Sequence, residues 1–141
     1  MKVIYLIGSL RNPEIPKIGN VLRRQGYEAF DDWHAAGPIA DDSWQIYETT
    51  RGRGFKEALK GFAAQHVFAF DRYHLDRCDA GLLVLPAGKS CHLELGYLRG
   101  QQKPVYALYL EPPKDGRWDV MMAFCNEVFF SEEEMLQGLK L

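Results

Sequence analysis

Val3-Ile4-Tyr5-Leu6-Ile7 is apolar at every position and stops at Gly8-Ser9. A strand with one wet face alternates apolar and polar side chains. An unbroken run fits a strand buried on both faces, as in a parallel sheet covered by helices. Ala80-Gly81-Leu82-Leu83-Val84-Leu85-Pro86 reads as the clearest central strand. Ile15 to Gln25 carries Ile15, Ile18, Val21 and Leu22 at helical spacing and is stopped by Gly26. Tyr27 to Phe30 is a short second strand, and His34 to Asp42 reads as loop. Ser43 to about Lys60 reads as an irregular, partly helical insertion broken by Gly52 and Gly54, followed by a helix from about Phe62 to Arg77. Beyond the central strand, Ala87-Gly88-Lys89 is a loop, and Ser90 is placed to cap a helix reaching Arg99. Pro104 to Leu110 is a further strand, Glu111 to Trp118 a polar loop, and Glu127 to Phe130 a short last strand. Ser131 caps the acidic first turn of a final helix.

The resulting order, β-α-β-insertion-α-β-α-β-β-α, predicts a flavodoxin-like or Rossmann-like three-layer α/β sandwich around a mostly parallel five-stranded sheet. A length of 141 residues suits one domain spanning 1–141, with enough chain to bury a core without disulfides or metal. In such sheets ligands sit beyond the carboxyl ends of the strands, where strand order reverses. That rule selects Gly8 to Asn12, Asp31 to Trp33, and Ala87 to Glu94.

Several function classes fall away. The net charge of -2 offers no basic surface for a nucleic acid polymer, whereas a small nucleotide needs none. Cys78, Cys91 and Cys125 are widely spaced and form no CxxC pair, which argues against a zinc site or disulfide framework and for reduced thiols in a cytoplasmic protein. The N-terminal apolar run is too short for a signal peptide or membrane span. His34, His66, His74 and His92 lack metal-ligand spacing, so no metal is expected. Gly88-Lys89-Ser90 resembles the tail of a P-loop, but Leu83 stands where that motif requires glycine.

The surviving candidates cluster at the selected loops. Gly8 and Ser9 let the backbone turn closely past a ligand, and Arg11 is a potential bidentate phosphate partner. Gly88, Lys89 and Ser90 offer backbone N–H groups and a helix N-terminus to an anion. Glu94 falls in the first helical turns after the central strand, where the helix dipole is expected to keep it ionised as a nucleophile. The same position also suits a structural glutamate. Asp71 lies in an otherwise apolar stretch of the helix before the central strand and serves equally well as an acid or as a surface partner for an arginine. Trp33, Trp44 and Phe68 suit either stacking on a base or filling the core.

Together these segments resemble the nucleoside 2-deoxyribosyltransferase family, including its branch of deoxynucleoside 5′-monophosphate N-glycosidases. The resemblance is carried by Ile4-Tyr5-Leu6-Ile7-Gly8-Ser9-Leu10-Arg11, by Asp71 with Asp79, and by Ser90-Cys91-His92-Leu93-Glu94-Leu95-Gly96-Tyr97. Gly100 with Lys103-Pro104-Val105 continues it, so that it spans about residues 3 to 110, with an echo near Asn126. It implies a substrate that is a small nucleoside or nucleotide. Glu94 would attack the anomeric carbon and form a covalent glycosyl-enzyme. Asp71 would assist the departing base, and Tyr5 would match a strand-end tyrosine that orients the nucleophile. Gly8, Ser9 and Arg11 would lie against a 5′-phosphate. It further implies no cofactor, and a homodimer or larger oligomer in which a C-terminal residue, here Asn126, reaches a neighbour's site. One departure stands out: classical transferases carry an acidic residue shortly before the nucleophile, and this chain has Ala87-Gly88-Lys89-Ser90 there. Lys89 and Ser90 suit a phosphate instead, which tilts the expectation toward the monophosphate hydrolases. The competing expectation is a catalytically inactive nucleotide-binding sensor of the same fold. A receiver-like signalling module is disfavoured, because Gly8-Ser9 and Pro86 stand where it would need acidic residues.

Overall fold

The computed structural model describes residues 1–141. Its sheet is built from β1 (Val3–Ile7), β2 (Glu28–Phe30), β3 (Ala80–Leu85), β4 (Val105–Tyr109) and β5 (Glu127–Phe129). The strand order is β2-β1-β3-β4-β5, and every neighbouring pair is parallel. This is the doubly wound flavodoxin-like order, with its switch point between β1 and β3. The helices are α1 (Ile15–Arg24), α2 (Ala40–Thr50), α3 (Phe55–Ala58), α4 (Phe62–Arg77), α5 (Lys89–Gly100) and α6 (Glu132–Gly138).

Alternation along the strands divides the core in two. Ile4 and Leu6 of β1 pack with Leu82 and Val84 of β3, against Ile15, Ile18 and Leu22 of α1 and Met135 of α6. Tyr5 and Ile7 face the other way, with Leu83, Val105 and Ala107, against Leu75 of α4 and Cys91, Leu95 and Leu98 of α5. Period-two geometry therefore delivers Tyr5 to the α4–α5 side of the sheet. Gly81 allows α5 to lie close there, because a Cβ at that position would stand 2.5 Å from the Leu98 side chain.

Three expectations are corrected. The segment expected as loop from His34 to Asp42 holds a 3-10 turn over Asp32–Ala36 and the start of α2 at Ala40. The turn is fixed by the Trp33 indole N–H donating to the Leu6 carbonyl (2.8 Å) and by the His34 ring against the Asn12 carbonyl (2.9 Å). These long-range bonds leave no local signal. Next, α5 begins one residue before the expected cap. Gly88 in extended backbone is its N-cap, and Ser90 lies inside the first turn. Finally, the insertion is more regular than expected: α2 and α3 flank the break at Arg51–Gly54, where Gly52 has φ +77°. The Arg51 and Arg53 guanidiniums there stand 3.7 and 3.8 Å from the Glu48 carboxylate, which is buried in α2. This accounts for the arginine-rich turn: it compensates a buried charge.

Candidate active site

Helices α4 and α5 run side by side over Tyr5, and polar bonds join them only near their C-terminal ends. The Tyr97 hydroxyl and the Gln101 amide both donate to the Asp76 carboxylate, and the Lys103 ammonium donates to the Leu75 and Asp76 carbonyls at 2.8 and 2.7 Å. Toward the helix N-termini no side-chain hydrogen bond crosses between them. Val67 and Phe68 on α4 and Leu93 on α5 stay exposed there despite being apolar. Tyr5 lies buried on the sheet face that these two helices cover.

Glu94 of α5 and Asp71 of α4 come together at Tyr5. The Tyr5 hydroxyl donates to Glu94 Oε2 at 2.9 Å. Tyr5 is the third residue of β1, hence at mid-strand rather than at the strand end. Asp71 has neither a hydrogen bond nor an ion pair with any side chain, yet its charge is close enough to raise the pKa of both Glu94 and Tyr5.

The electrostatics differ from expectation. Glu94 is the sixth residue of α5, past the first turn where the helix dipole acts. Burial instead pushes its carboxyl up to about 7, opposed by the Tyr5 hydrogen bond and reinforced by Asp71. Burial likewise raises Asp71 to about 6. Desolvation, then Glu94, drives the Tyr5 phenol far above its ordinary value, so it stays protonated and donates. The arrangement is two carboxyls that cannot both carry charge cheaply, one of them held by a permanent donor.

This has a consequence for stability. A carboxyl whose folded pKa lies above its unfolded one favours the fold below the unfolded value, and that contribution is lost as pH rises through the folded one. Glu94→Gln keeps the size of the side chain and an acceptor for Tyr5 while removing the charge. It is therefore expected to stabilise the protein at pH 8, by up to about 3 kcal/mol, and to leave stability near pH 4 almost unchanged. Urea unfolding at the two pH values measures this. An equal effect at both, or a loss at pH 8, would show that burial of the charge is not costly.

The loops after β1 and β3 meet at the switch point. Ser9, Arg11, Asn12 and Pro13 after β1, and Pro86, Ala87 and Gly88 after β3, line a cavity of about 420 Å³. The Ser9 hydroxyl accepts the Arg11 backbone N–H at 3.1 Å, leaving its own O–H free to donate. No side chain caps α5, so its first N–H groups remain open. Lys89 and Ser90 follow as exposed residues of its first turn. Gly8 is not part of the lining. A Cβ there would stand 2.4 Å from Ile15 Cδ1, so its smallness serves the packing of α1.

Asn126 is not brought to either place. It precedes β5 at the amino end of the sheet, where its side-chain oxygen accepts the Val105 N–H at 3.0 Å and its own N–H donates to the Val105 carbonyl at 2.7 Å. Asn12, which sequence reasoning passed over as a site residue, is buried, lines the cavity and leaves its side-chain nitrogen without a partner. Of the three aromatic candidates, Trp33 packs against the core, Trp44 meets Phe55 edge-on, and Phe68 alone is exposed. No group of three or more His, Cys, Asp or Glu is placed to hold a metal ion, and all three cysteines are free. No helix is long and apolar enough to cross a membrane.

No protein-family model and no curated protein matches the sequence. Among solved structures the chain is similar to the 2-deoxyribosyltransferase of the psychrotolerant bacterium Bacillus psychrosaccharolyticus, an enzyme described as a biocatalyst for nucleoside synthesis. The two superpose with a TM-score of 0.65 at 17% identity, over 99% of this chain and 93% of the other. Along essentially its whole length, then, the protein has the fold of a 2-deoxyribosyltransferase.

Proposed function

We propose that the protein cleaves the N-glycosidic bond of a deoxynucleoside or its 5′-monophosphate, by hydrolysis or by transfer to another base. The observation that carries this reading is the Tyr5 hydroxyl held at 2.9 Å on Glu94, with unpartnered Asp71 close enough to act on both. Glu94 is the nucleophile. Its negative charge stabilises an oxocarbenium-like transition state, and its oxygen then bonds the anomeric carbon as the bond to the base nitrogen breaks. Asp71 in its protonated form donates to the departing base. Tyr5 orients Glu94, and its single hydrogen bond leaves the other carboxylate oxygen free to attack. The fold shared with a 2-deoxyribosyltransferase supports the reading. The experiment is incubation with a panel of deoxynucleosides and their 5′-monophosphates, with and without an acceptor base, followed by chromatography. Release of no base from any of them would remove the proposal.

Within that activity, the 5′-monophosphate is the preferred substrate. Ser9, Arg11, Gly88 and the open start of α5 converge on one cavity, and the first turn of α5 adds Lys89 and Ser90. A charge-assisted Arg–phosphate contact contributes roughly 1.5–3 kcal/mol, or about ten- to over a hundredfold in kcat/KM if it persists in the transition state. Arg11→Ala is expected to lower kcat/KM for the monophosphate by that factor and to leave the free nucleoside unaffected. A wild-type enzyme that favours the free nucleoside would refute the phosphate assignment alone.

The resemblance also implies assembly with further copies of the chain. Phe62, Phe70 and Tyr73 of α4 are exposed aromatic residues on which such a copy would pack, and light scattering reads the outcome.

A further inference from the structure

Arg11, the cation of the switch-point cavity, is not free. Its Nη2 lies 3.1 Å from Asp42 Oδ2, and both side chains are largely exposed. Asp42 sits in the first turn of α2, inside the stretch from Pro38 to Lys60. This stretch is bounded by Gly37, whose φ is +91°, and by Gly61, the N-cap of α4. Only Glu48 and Ala58 within it are buried, whereas Ile39, Ile46, Tyr47, Phe55 and Leu59 remain exposed. Its other side-chain bonds stay within the stretch or go to α4: Thr49 and Thr50 bond carbonyls of their own helix, Arg51 bonds Tyr47, and Gln65 of α4 donates to the Leu59 carbonyl. The Arg11–Asp42 pair is the one side-chain bond that ties α2 to the loop after β1.

We propose that Asp42 is a built-in competitor for the anion site: it holds Arg11, and with it α2, in the empty protein, and gives both up when a phosphate group takes the guanidinium. The inference rests on the assignment of the switch-point cavity to phosphate. An exposed ion pair of this kind favours the joined state by no more than about fivefold. A phosphate dianion offers the same guanidinium a bidentate, more highly charged partner, so it displaces Asp42 rather than sharing the arginine. By linkage, whatever Asp42 contributes to holding α2 is subtracted from phosphate affinity, and release of α2 accompanies binding. Asp42 thereby tunes the preference for phosphorylated over free ligands without touching the reacting bond.

The test compares the full chain with Asp42→Asn. Titration calorimetry with inorganic phosphate, and separately with a deoxynucleoside 5′-monophosphate, distinguishes the free anion from the substrate group. Asp42→Asn is expected to bind both about two- to fivefold more tightly than wild type, with the free nucleoside unchanged. Amide hydrogen exchange over residues 40–50 is expected to quicken in wild type at saturating phosphate. In Asp42→Asn it is expected to be fast from the start and insensitive to phosphate. Binding that needs Arg11 but is equal in wild type and Asp42→Asn, or exchange in α2 that ignores phosphate, overturns the latch while leaving the phosphate site standing. Failure of wild type to bind either phosphate ligand overturns both.

Discussion

Glu94→Gln is expected to lower the rate of base release by at least ~10³-fold, because removal of a nucleophile eliminates the step rather than weakening it. The substitution is chosen for what it preserves. Glutamine has nearly the same volume, and its carbonyl oxygen still accepts the Tyr5 hydroxyl that now bonds Glu94 Oε2. What disappears is the negative charge and the oxygen that bonds carbon. Since burial holds the Glu94 carboxyl up at about 7, the charge is costly to the fold, and the inactive variant is expected to be the more stable one above that pH. Loss of activity together with a gain in stability at pH 8 is a pattern that general damage to the protein does not produce. Base release is followed by chromatography, with circular dichroism as the check on folding. If the glutamine variant turns over as wild type does, Glu94 is not the nucleophile. If wild type binds nucleotides tightly without turnover, the chain is a nucleotide-binding sensor with this fold.

The parts of the fold that were legible in the sequence are those whose signal is local. The unbroken apolar runs Val3–Ile7 and Ala80–Leu85 became β1 and β3, the adjacent central strands around which the order of the sheet reverses. The apolar spacing of Ile15, Ile18 and Leu22 became the buried face of α1. What the sequence concealed depends on contacts distant along the chain. The 3-10 turn at Asp32–Ala36 is held by carbonyls of Leu6 and Asn12, so its own composition reads as loop. The ionisation of Glu94 was misjudged for a similar reason. Counting along α5 suggests a residue near a helix dipole, whereas what decides its pKa is desolvation by burial, the hydrogen bond from Tyr5 and a carboxylate more than twenty positions away. The Arg11–Asp42 pair is invisible in both local sequences, because its members stand 31 positions apart. The Tyr5–Glu94 hydrogen bond was anticipated only through the family resemblance, since nothing in the composition of β1 distinguishes a tyrosine that bonds a carboxylate from one that merely fills the core.

Asp71→Asn is expected to slow release of a poor leaving base by roughly 10²–10⁴-fold, the usual range for a general acid, and to slow a nitrophenyl glycoside far less. The pH profile supplies a second, independent reading. Burial raises both carboxyls, Glu94 to about 7 and Asp71 to about 6, and each disfavours the charge of the other. Below both ionisations the pair holds two protons, and Glu94 cannot attack. Above both it holds none, and nothing protonates the base. Wild-type kcat/KM is therefore expected to be bell-shaped with its maximum between about pH 6 and 7, falling about tenfold per unit on either side. The reactive form needs the single remaining proton on Asp71, although burial holds a proton on Glu94 as well. As the glycosidic bond breaks, positive charge developing on the sugar stabilises a carboxylate at Glu94, while the electron pair developing on the departing base takes the proton from Asp71. Asparagine at position 71 can supply no proton, so the alkaline limb is expected to vanish and only the acid limb, set by Glu94, to remain. Glu94 is then expected to ionise below the value of about 7 that it has beside a charged Asp71, because that charge raises it. An Asp71→Asn profile that keeps both limbs, or an equal slowing of good and poor leaving groups, would assign Asp71 a structural role and leave the base to depart without its help.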